Sequence, residues 1–346
     1  MTTARLKIAN PHDPLLAASV QRTLDRKTKP QGSLGRLEGL ALQLALIQGR
    51  EQPLLASPQL VVFAADHGIA ARGVSAYPSD VTWQMVENFL AGGAAVAVLA
   101  RQHGLALTVV DCGVRHDFAP RPGLVIAKTG AGSADSSRGP AMSRAHCEAA
   151  MEHGAVLVSG LPGNALLLGE MGIGNTSAAA LLMARLCGEP IQACTGRGTG
   201  LDDAGLARKL AVLHEALAVN ASVTEPLDVL AALGGLEIAT MTGAVLQAAH
   251  ERRVIVVDGF ITTAAVAVAA ALAPTVLPYC VFAHCSAESG HARWLARLRA
   301  EPLLDLGMRL GEGSGAALAW PLLESACRLL KEMASFNSAG VSERSA

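Results

Sequence analysis

Aromatic side chains are scarce: Phe, Trp and Tyr make up 3% of the 346 residues, although 51% are hydrophobic. Alanine carries much of that apolar content, so the mean hydropathy overstates how oily the chain is. Net charge is also lacking. Lys and Arg number 28 against 29 Asp and Glu, a formal charge of −1. Such a balance gives no electrostatic reason to expect nucleic acid or an anionic membrane as partner. No Cys-x-x-Cys pair occurs among Cys112, Cys147, Cys187, Cys194, Cys280, Cys285 and Cys327. An odd, scattered set fits reduced, mostly buried thiols in a cytoplasmic setting better than a disulfide framework. Residues 1–10 hold no long apolar run, so no secretory signal is expected. No Gly-Lys-Ser/Thr loop is present, which argues against an ATPase. Residues 260–283 are almost uncharged and about long enough to span a bilayer. Pro274 and Pro278 interrupt them, which predicts a buried helix, a turn and a buried strand instead.

What is present is an alternation. The length allows one large domain or two modest ones. Short β-branched runs predict buried parallel strands at residues 60–65, 106–111, 156–159, 254–258 and 279–283, with shorter candidates at 166–169 and 191–194. Helical patterns lie between them. In 202–220, Leu206, Leu210, Leu213 and Leu217 share one face. Residues 235–251 and 260–272 also predict helices. Strand alternating with helix predicts an α/β domain on a parallel sheet, with Rossmann-like flanking helices and ligands beyond the carboxyl ends of the strands. Helical spacing at 14–26, 34–47 and 314–333 groups the chain ends into a small helical domain. The expected division is therefore 1–50 with 300–346, against a large α/β domain over 51–299. Residues 130–138 predict a polar loop and 334–346 a frayed end.

Glycine is the abundant counterpart of the missing aromatics, at 35 residues, and it clusters after predicted strands. Gly169-Glu170-Met171-Gly172-Ile173-Gly174-Asn175-Thr176-Ser177 precedes a helix over 178–186. Backbone N–H groups and the helix dipole there suit an anion. A plain capped turn and a dinucleotide site are the alternatives. Against the dinucleotide, Ser177 occupies the third fingerprint position, and the next strand candidate ends in Thr195-Gly196 without a ribose-binding acid. Gly196-Arg197-Gly198-Thr199-Gly200 would face the first loop across a shared site. Lys209 could reach a phosphate from there, although alone it reads as a solvated surface lysine. Asp258 ends a predicted strand, where an acid could hold ribose hydroxyls. Diphosphate-using phosphoribosyltransferases have two adjacent acids at such a place; here there is one. In the run 284–291, His284, Cys285, Glu288 and His291 match no common zinc spacing. A ligand contact through Ser286 is the better expectation there. Glu312, between Gly311 and Gly313 and before a long apolar helix, predicts either a capped turn or a base whose pKa burial would raise.

Taken in order, several runs resemble the CobT-type nicotinate-nucleotide:dimethylbenzimidazole phosphoribosyltransferases. They are Lys29-Pro30-Gln31-Gly32-Ser33-Leu34-Gly35-Arg36-Leu37-Glu38, Ala65-Asp66-His67-Gly68, Gly73-Val74-Ser75-Ala76-Tyr77-Pro78, the Gly169 to Thr176 run, Gly234-Gly235-Leu236-Glu237-Ile238-Ala239, Asp258-Gly259-Phe260-Ile261 and Leu310-Gly311-Glu312-Gly313-Ser314-Gly315. The resemblance implies transfer of 5-phosphoribosyl from nicotinate mononucleotide to 5,6-dimethylbenzimidazole, without cofactor or metal, in a cytoplasmic homodimer. It implies a catalytic role for Glu312 and a second acid at Glu170. It implies nucleotide contacts at Gly174, Asn175, Thr176, Gly198, Thr199, Gly200, Lys209, Asp258 and Ser286. The stretch 75–85 would line the benzimidazole pocket, through Ser75, Tyr77, Gln84 and Met85. A nucleotide-binding oxidoreductase and a non-catalytic nucleotide sensor are the rival expectations.

Overall fold

A chain with few rings must fill its interior by bringing backbones close together, because packing density is similar in all folded interiors. The computed structural model describes residue 3 and residues 6–342. One continuous hydrophobic core runs through it, from Ile8 to Leu330. Its centre is a six-stranded, wholly parallel sheet: β1 (Gln59–Ala65), β2 (Ala106–Gly113), β3 (Leu124–Ile126), β4 (Ala165–Met171), β5 (Val254–Val257) and β6 (Cys280–Phe282). Their order is β3-β2-β1-β4-β5-β6, so the direction of strand addition reverses between β1 and β4. In open α/β sheets, ligands collect outside the strand ends at such a reversal.

Helices on both faces explain the uninterrupted apolar strands: every residue of β1 and of β5 is buried. Small residues set how near those helices come. Helix Arg144–Gly160 crosses helix Leu236–His250 at Gly154 and Gly243. A Cβ on Gly154 would lie 1.9 Å from the Thr240 carbonyl oxygen, and one on Gly243 would lie 1.9 Å from that of Met151.

Two predicted strands are helical. Residues 156–159 form the last turn of helix Arg144–Gly160, which Ser143 caps through the His146 amide. Buried Cys147, Met151, Gly154, Ala155 and Val158 recur at helical spacing along it. Residues 191–194 are a single helical turn entered from Pro190. The run 166–169 is the middle of central strand β4. Residues 260–283 divide into helix Phe260–Leu272, a 3-10 segment Pro274–Tyr279 and β6. The stretch Val81–His103 is also apolar and long enough to span, but it breaks into helices Val81–Leu90 and Ala95–His103.

At the chain ends, Asp13 caps helix Pro14–Asp25 by accepting the Leu15 and Leu16 amides. Helix Arg36–Gln48 packs on helix Ser314–Glu332. The Lys29 to Glu38 motif closes on itself through a buried ion pair between those two residues at 2.8 Å. Residues 334–342 are not frayed: Ser335 pairs with Lys27, and Phe336–Ala339 forms a short helix. The remainder of that expected frayed end, 343–346, and part of the N-terminal run 1–10 lie outside the described residues.

Gly154→Ala sets two effects against each other. Alanine favours a helix over glycine by about 1 kcal/mol, whereas overpacking a tight contact costs about 1–3 kcal/mol. With backbone 1.9 Å from the new methyl, overpacking should win and the midpoint of denaturant unfolding should fall. A raised midpoint would show that the two helices do not meet at these glycines.

Candidate active site

Strands β4 and β6 deliver titratable groups, and β5 the turn Gly259 to Ile261, to one cleft of about 280 Å³ at their carboxyl ends. Larger hollows exist, of about 750 Å³ over Gly130 to Arg144 and about 710 Å³ beside Lys29. Neither gathers buried acids as this cleft does. Gly169 and Gly174 make the approach possible. Gly174 has φ +97° and starts helix Asn175–Cys187. A Cβ on Gly169 would lie 2.4 Å from the Glu312 carbonyl oxygen, so β4 admits the Glu312 turn against its backbone.

Glu312 occupies left-handed backbone, φ +65°, between Gly311 at +82° and Gly313 at +91°. Its side chain lines the cleft, and Oε2 is buried with no hydrogen-bond partner. Burial pushes its pKa up to about 7, opposed by the Val96 amide at the start of helix Ala95–His103. Glu170, at the end of β4, accepts a hydrogen bond from the Asn175 side-chain amide. Burial, then the charge of Asp258, raises Glu170 to about 8. The two glutamates meet across Gly311, where a Cβ would lie 2.2 Å from Glu170 Oε1.

Asp258, expected to hold ribose hydroxyls, has backbone partners. Its Oδ2 accepts the Gly313 amide at 3.2 Å and its Oδ1 the Ala316 amide at 2.9 Å. It therefore anchors the N-terminus of helix Ser314–Glu332, and does not line the cleft. Burial raises its pKa to about 7, and the backbone amides oppose that shift.

Lys209 is no solvated surface residue. It is fully buried, and its Nζ donates to Thr176 Oγ1 at 2.9 Å and to the Gly196 carbonyl at 3.2 Å. Desolvation lowers its pKa to about 8, while the charge of Glu288 opposes the shift. It ties together the two glycine loops expected to face each other. Asn175, Thr176, Gly198, Thr199 and Ser286 line the cleft; Gly174 and Gly200 do not. Arg309 holds the second loop by donating to the Gly198 carbonyl at 3.0 Å.

Of the conceivable zinc set, His291 is otherwise engaged. His291 Nδ1 accepts the Ser286 amide at 2.7 Å, and its Nε2 meets Thr263 Oγ1 at 3.0 Å. Among the described residues, no three His, Cys, Asp or Glu side chains are grouped to hold a metal ion.

The chain as a whole has counterparts among known proteins. Residues 9–341 match a family described as phosphoribosyltransferase. A nicotinate-nucleotide--dimethylbenzimidazole phosphoribosyltransferase of Variovorax paradoxus (strain S110) is 68% identical over 337 residues, 97% of each chain. One from Aromatoleum aromaticum is 56% identical, covering 96% of this chain and 97% of its own. The crystal structure of a nicotinate-nucleotide-dimethylbenzimidazole phosphoribosyltransferase from Thermus thermophilus superposes with a TM-score of 0.92 at 42% identity. The match covers 96% of this chain and 100% of the Thermus chain.

The chain belongs to this phosphoribosyltransferase family. Of the stretch 75–85, expected to line a pocket for the acceptor ring, only part lies at this cleft. Tyr77 lines the cleft, and Ser75 Oγ lies 3.1 Å from Thr199 Oγ1. Gln84 is exposed, and neither it nor Met85 lines the cleft. Thr82, not singled out from the sequence, makes that helix's contact instead by accepting the Ile173 amide at 3.1 Å. Its one signal in sequence is a hydroxyl on an otherwise apolar face. His284, Gly259 and Glu288 also line the cleft. They were visible only as members of a strand-end turn and of the histidine-rich run.

Asp258→Ala should both destabilise the protein and lower turnover. It strands two buried amides, each at about 1–3 kcal/mol, and releases the turn that carries Glu312. Asp258→Asn keeps an acceptor oxygen and should lose less on both counts. Normal melting and normal turnover in Asp258→Ala would show that the helix terminus holds its place without the carboxylate.

Proposed function

We propose that the chain transfers the 5-phosphoribosyl group of nicotinate mononucleotide to 5,6-dimethylbenzimidazole. The products are α-ribazole 5′-phosphate and nicotinate, and the step belongs to assembly of the cobalamin nucleotide loop. The observation that carries this function is Glu312: a buried carboxylate on a left-handed turn, one oxygen of which has no hydrogen-bond partner, with its pKa raised to about 7 at the cleft wall. The substrates are those named for the relatives from Variovorax and Aromatoleum. A homodimer working in the cytoplasm is the setting that the family resemblance implies.

The chemistry follows from charge. Nicotinate on the sugar is a pyridinium, so it departs with the bonding pair as a neutral ring nitrogen. No diphosphate leaves, and the leaving group calls for no divalent cation. C1′ passes through an oxocarbenium-like state while the acceptor's imine nitrogen attacks from the opposite face, turning β into α. The acceptor's other ring nitrogen must then lose its proton, and the Glu312 carboxylate takes it. A general base of this kind contributes on the order of 10²–10⁴-fold. Holding both rings in line supplies a further large factor. The 5′-phosphate is held where Asn175 and Thr176 face Gly198 and Thr199 across the cleft. Lys209 acts from behind through Thr176, adding charge without direct exposure.

Glu312→Gln keeps the shape and cannot accept the proton. Turnover should fall by about 10²-fold or more, while substrate affinity changes far less, because the proton moves only in the transition state. In the wild type, the rate should decline as pH falls through about 7, where the base becomes protonated. That limb should flatten in the variant. Near-normal turnover in folded Glu312→Gln would reduce the residue to a turn former and make Glu170 the next candidate.

The two glycine loops generate a second expectation. Nicotinate riboside lacks the 5′-phosphate and should be a much poorer donor than the mononucleotide in initial-rate assays. Equal kcat/KM for the two would remove the phosphate from those loops.

A further inference from the structure

With Asp258 committed to helix Ser314–Glu332, the expected ribose-binding acid is turned away from the cleft. The cleft nevertheless contains a buried carboxylate oxygen with no hydrogen-bond donor. Glu288 lines it, is 7% exposed, and its Oε2 has no hydrogen-bond partner. Gly196 is open for that oxygen: a Cβ there would lie 2.2 Å from it. The carboxylate therefore sits against the second glycine loop. Lys209 donates to the carbonyl of that same Gly196, and the Glu288 charge reaches it. The segment is fixed locally, because the Glu288 amide donates to Ser286 Oγ at 3.3 Å and the Ser286 amide to His291. His284, Ser286 and Glu288, two residues apart, all line the cleft after β6.

A buried anion without donors is unfavourable unless a ligand brings them. A carboxylate offers two acceptor oxygens and no donor. A vicinal diol offers two O–H donors, and hydrogen bonds to an ionised acceptor are the short, strong kind. We propose that Glu288 accepts hydrogen bonds from the 2′- and 3′-hydroxyls of the donor ribose, and so selects ribonucleotide over deoxyribonucleotide donors. Ser286 and His284 complete that polar wall; burial lowers the pKa of His284, which favours an imidazole without charge. The assignment rests on the phosphoribosyl transfer proposed above. A competing role for Glu288 is that of a mere counter-charge for Lys209, acting on the phosphate side.

Four donors separate these roles: nicotinate mononucleotide, its 2′-deoxy and 3′-deoxy analogues, and nicotinate riboside. Dissociation constants and initial rates would be measured for the wild type, Glu288→Gln and Glu288→Ala. The wild type should favour the ribonucleotide over at least one deoxy analogue by about tenfold or more, the scale of a hydrogen bond to a charged group. In Glu288→Gln that preference should shrink several-fold, while the preference for mononucleotide over riboside persists. Wild-type indifference to both hydroxyls would overturn the proposal without reliance on any variant. Undiminished diol preference in folded Glu288→Gln would overturn it too. So would loss of the phosphate preference alone, which would identify the counter-charge role. If the wild type binds the ribonucleotide preferentially but releases no nicotinate, the diol assignment stands and the transfer reaction falls. If none of the nucleotides binds, both fall.

Discussion

The turn Gly311 to Gly313 is pinned between two strand ends, and the candidate chemistry depends on that clamp. On one side, β4 presents Gly169, where any side chain would strike the Glu312 carbonyl oxygen at 2.4 Å. On the other, Asp258 after β5 holds the amides of Gly313 and Ala316. Ser314 closes the turn by donating its hydroxyl to the Gly311 carbonyl at 2.7 Å. A non-glycine residue in left-handed backbone is unfavourable by about 1–2 kcal/mol, and surrounding contacts must over-determine it. Here they do, and the result is a carboxylate delivered to the cleft wall with little freedom to turn away.

The same clamp gathers like charges. Glu170, Asp258 and Glu312 are all nearly buried, and the pKa of each is raised, first by burial. Each acid is matched differently. Asp258 has backbone amides, which favour its charged form. Glu170 has the Asn175 amide. Glu312 Oε2 has no partner, and it alone stands on the strained turn. An acid whose protonation changes near neutrality, beside others that resist ionising with it, is the arrangement expected of a group that exchanges a proton during turnover.

Much of the fold was legible because periodicity reports burial. Helix Phe260–Leu272 is as predicted, and helix Ser314–Glu332 ends one residue short. The failures have causes. The strand expected at 156–159 rested on the apolar run 156–158, but Ser143 begins a helix 13 residues before Val156, and its register governs that run. β3 is three residues long, on a sheet edge, and half exposed, so it leaves almost no pattern. Within the candidate site, local motifs placed Glu312, Glu170 and the glycine loops on the same cleft. They could not disclose partners distant in sequence: Asp258 with Gly313, Lys209 with Thr176, or Glu288 with Gly196. A strand-end acid looks the same whether it faces ligand or caps a helix 55 residues later.

The central claim is that Glu312 is a carboxyl group whose proton is exchangeable near neutrality. The most direct measurement is a pH titration of its carboxyl stretch, by difference infrared spectroscopy of glutamate-labelled wild type against Glu312→Gln. The clamp and its burial predict a carboxylic acid band that disappears with a midpoint near 7. A midpoint at the ordinary glutamate value of 4.5 would mean that the carboxylate is ionised well below neutrality, and would contradict the claim.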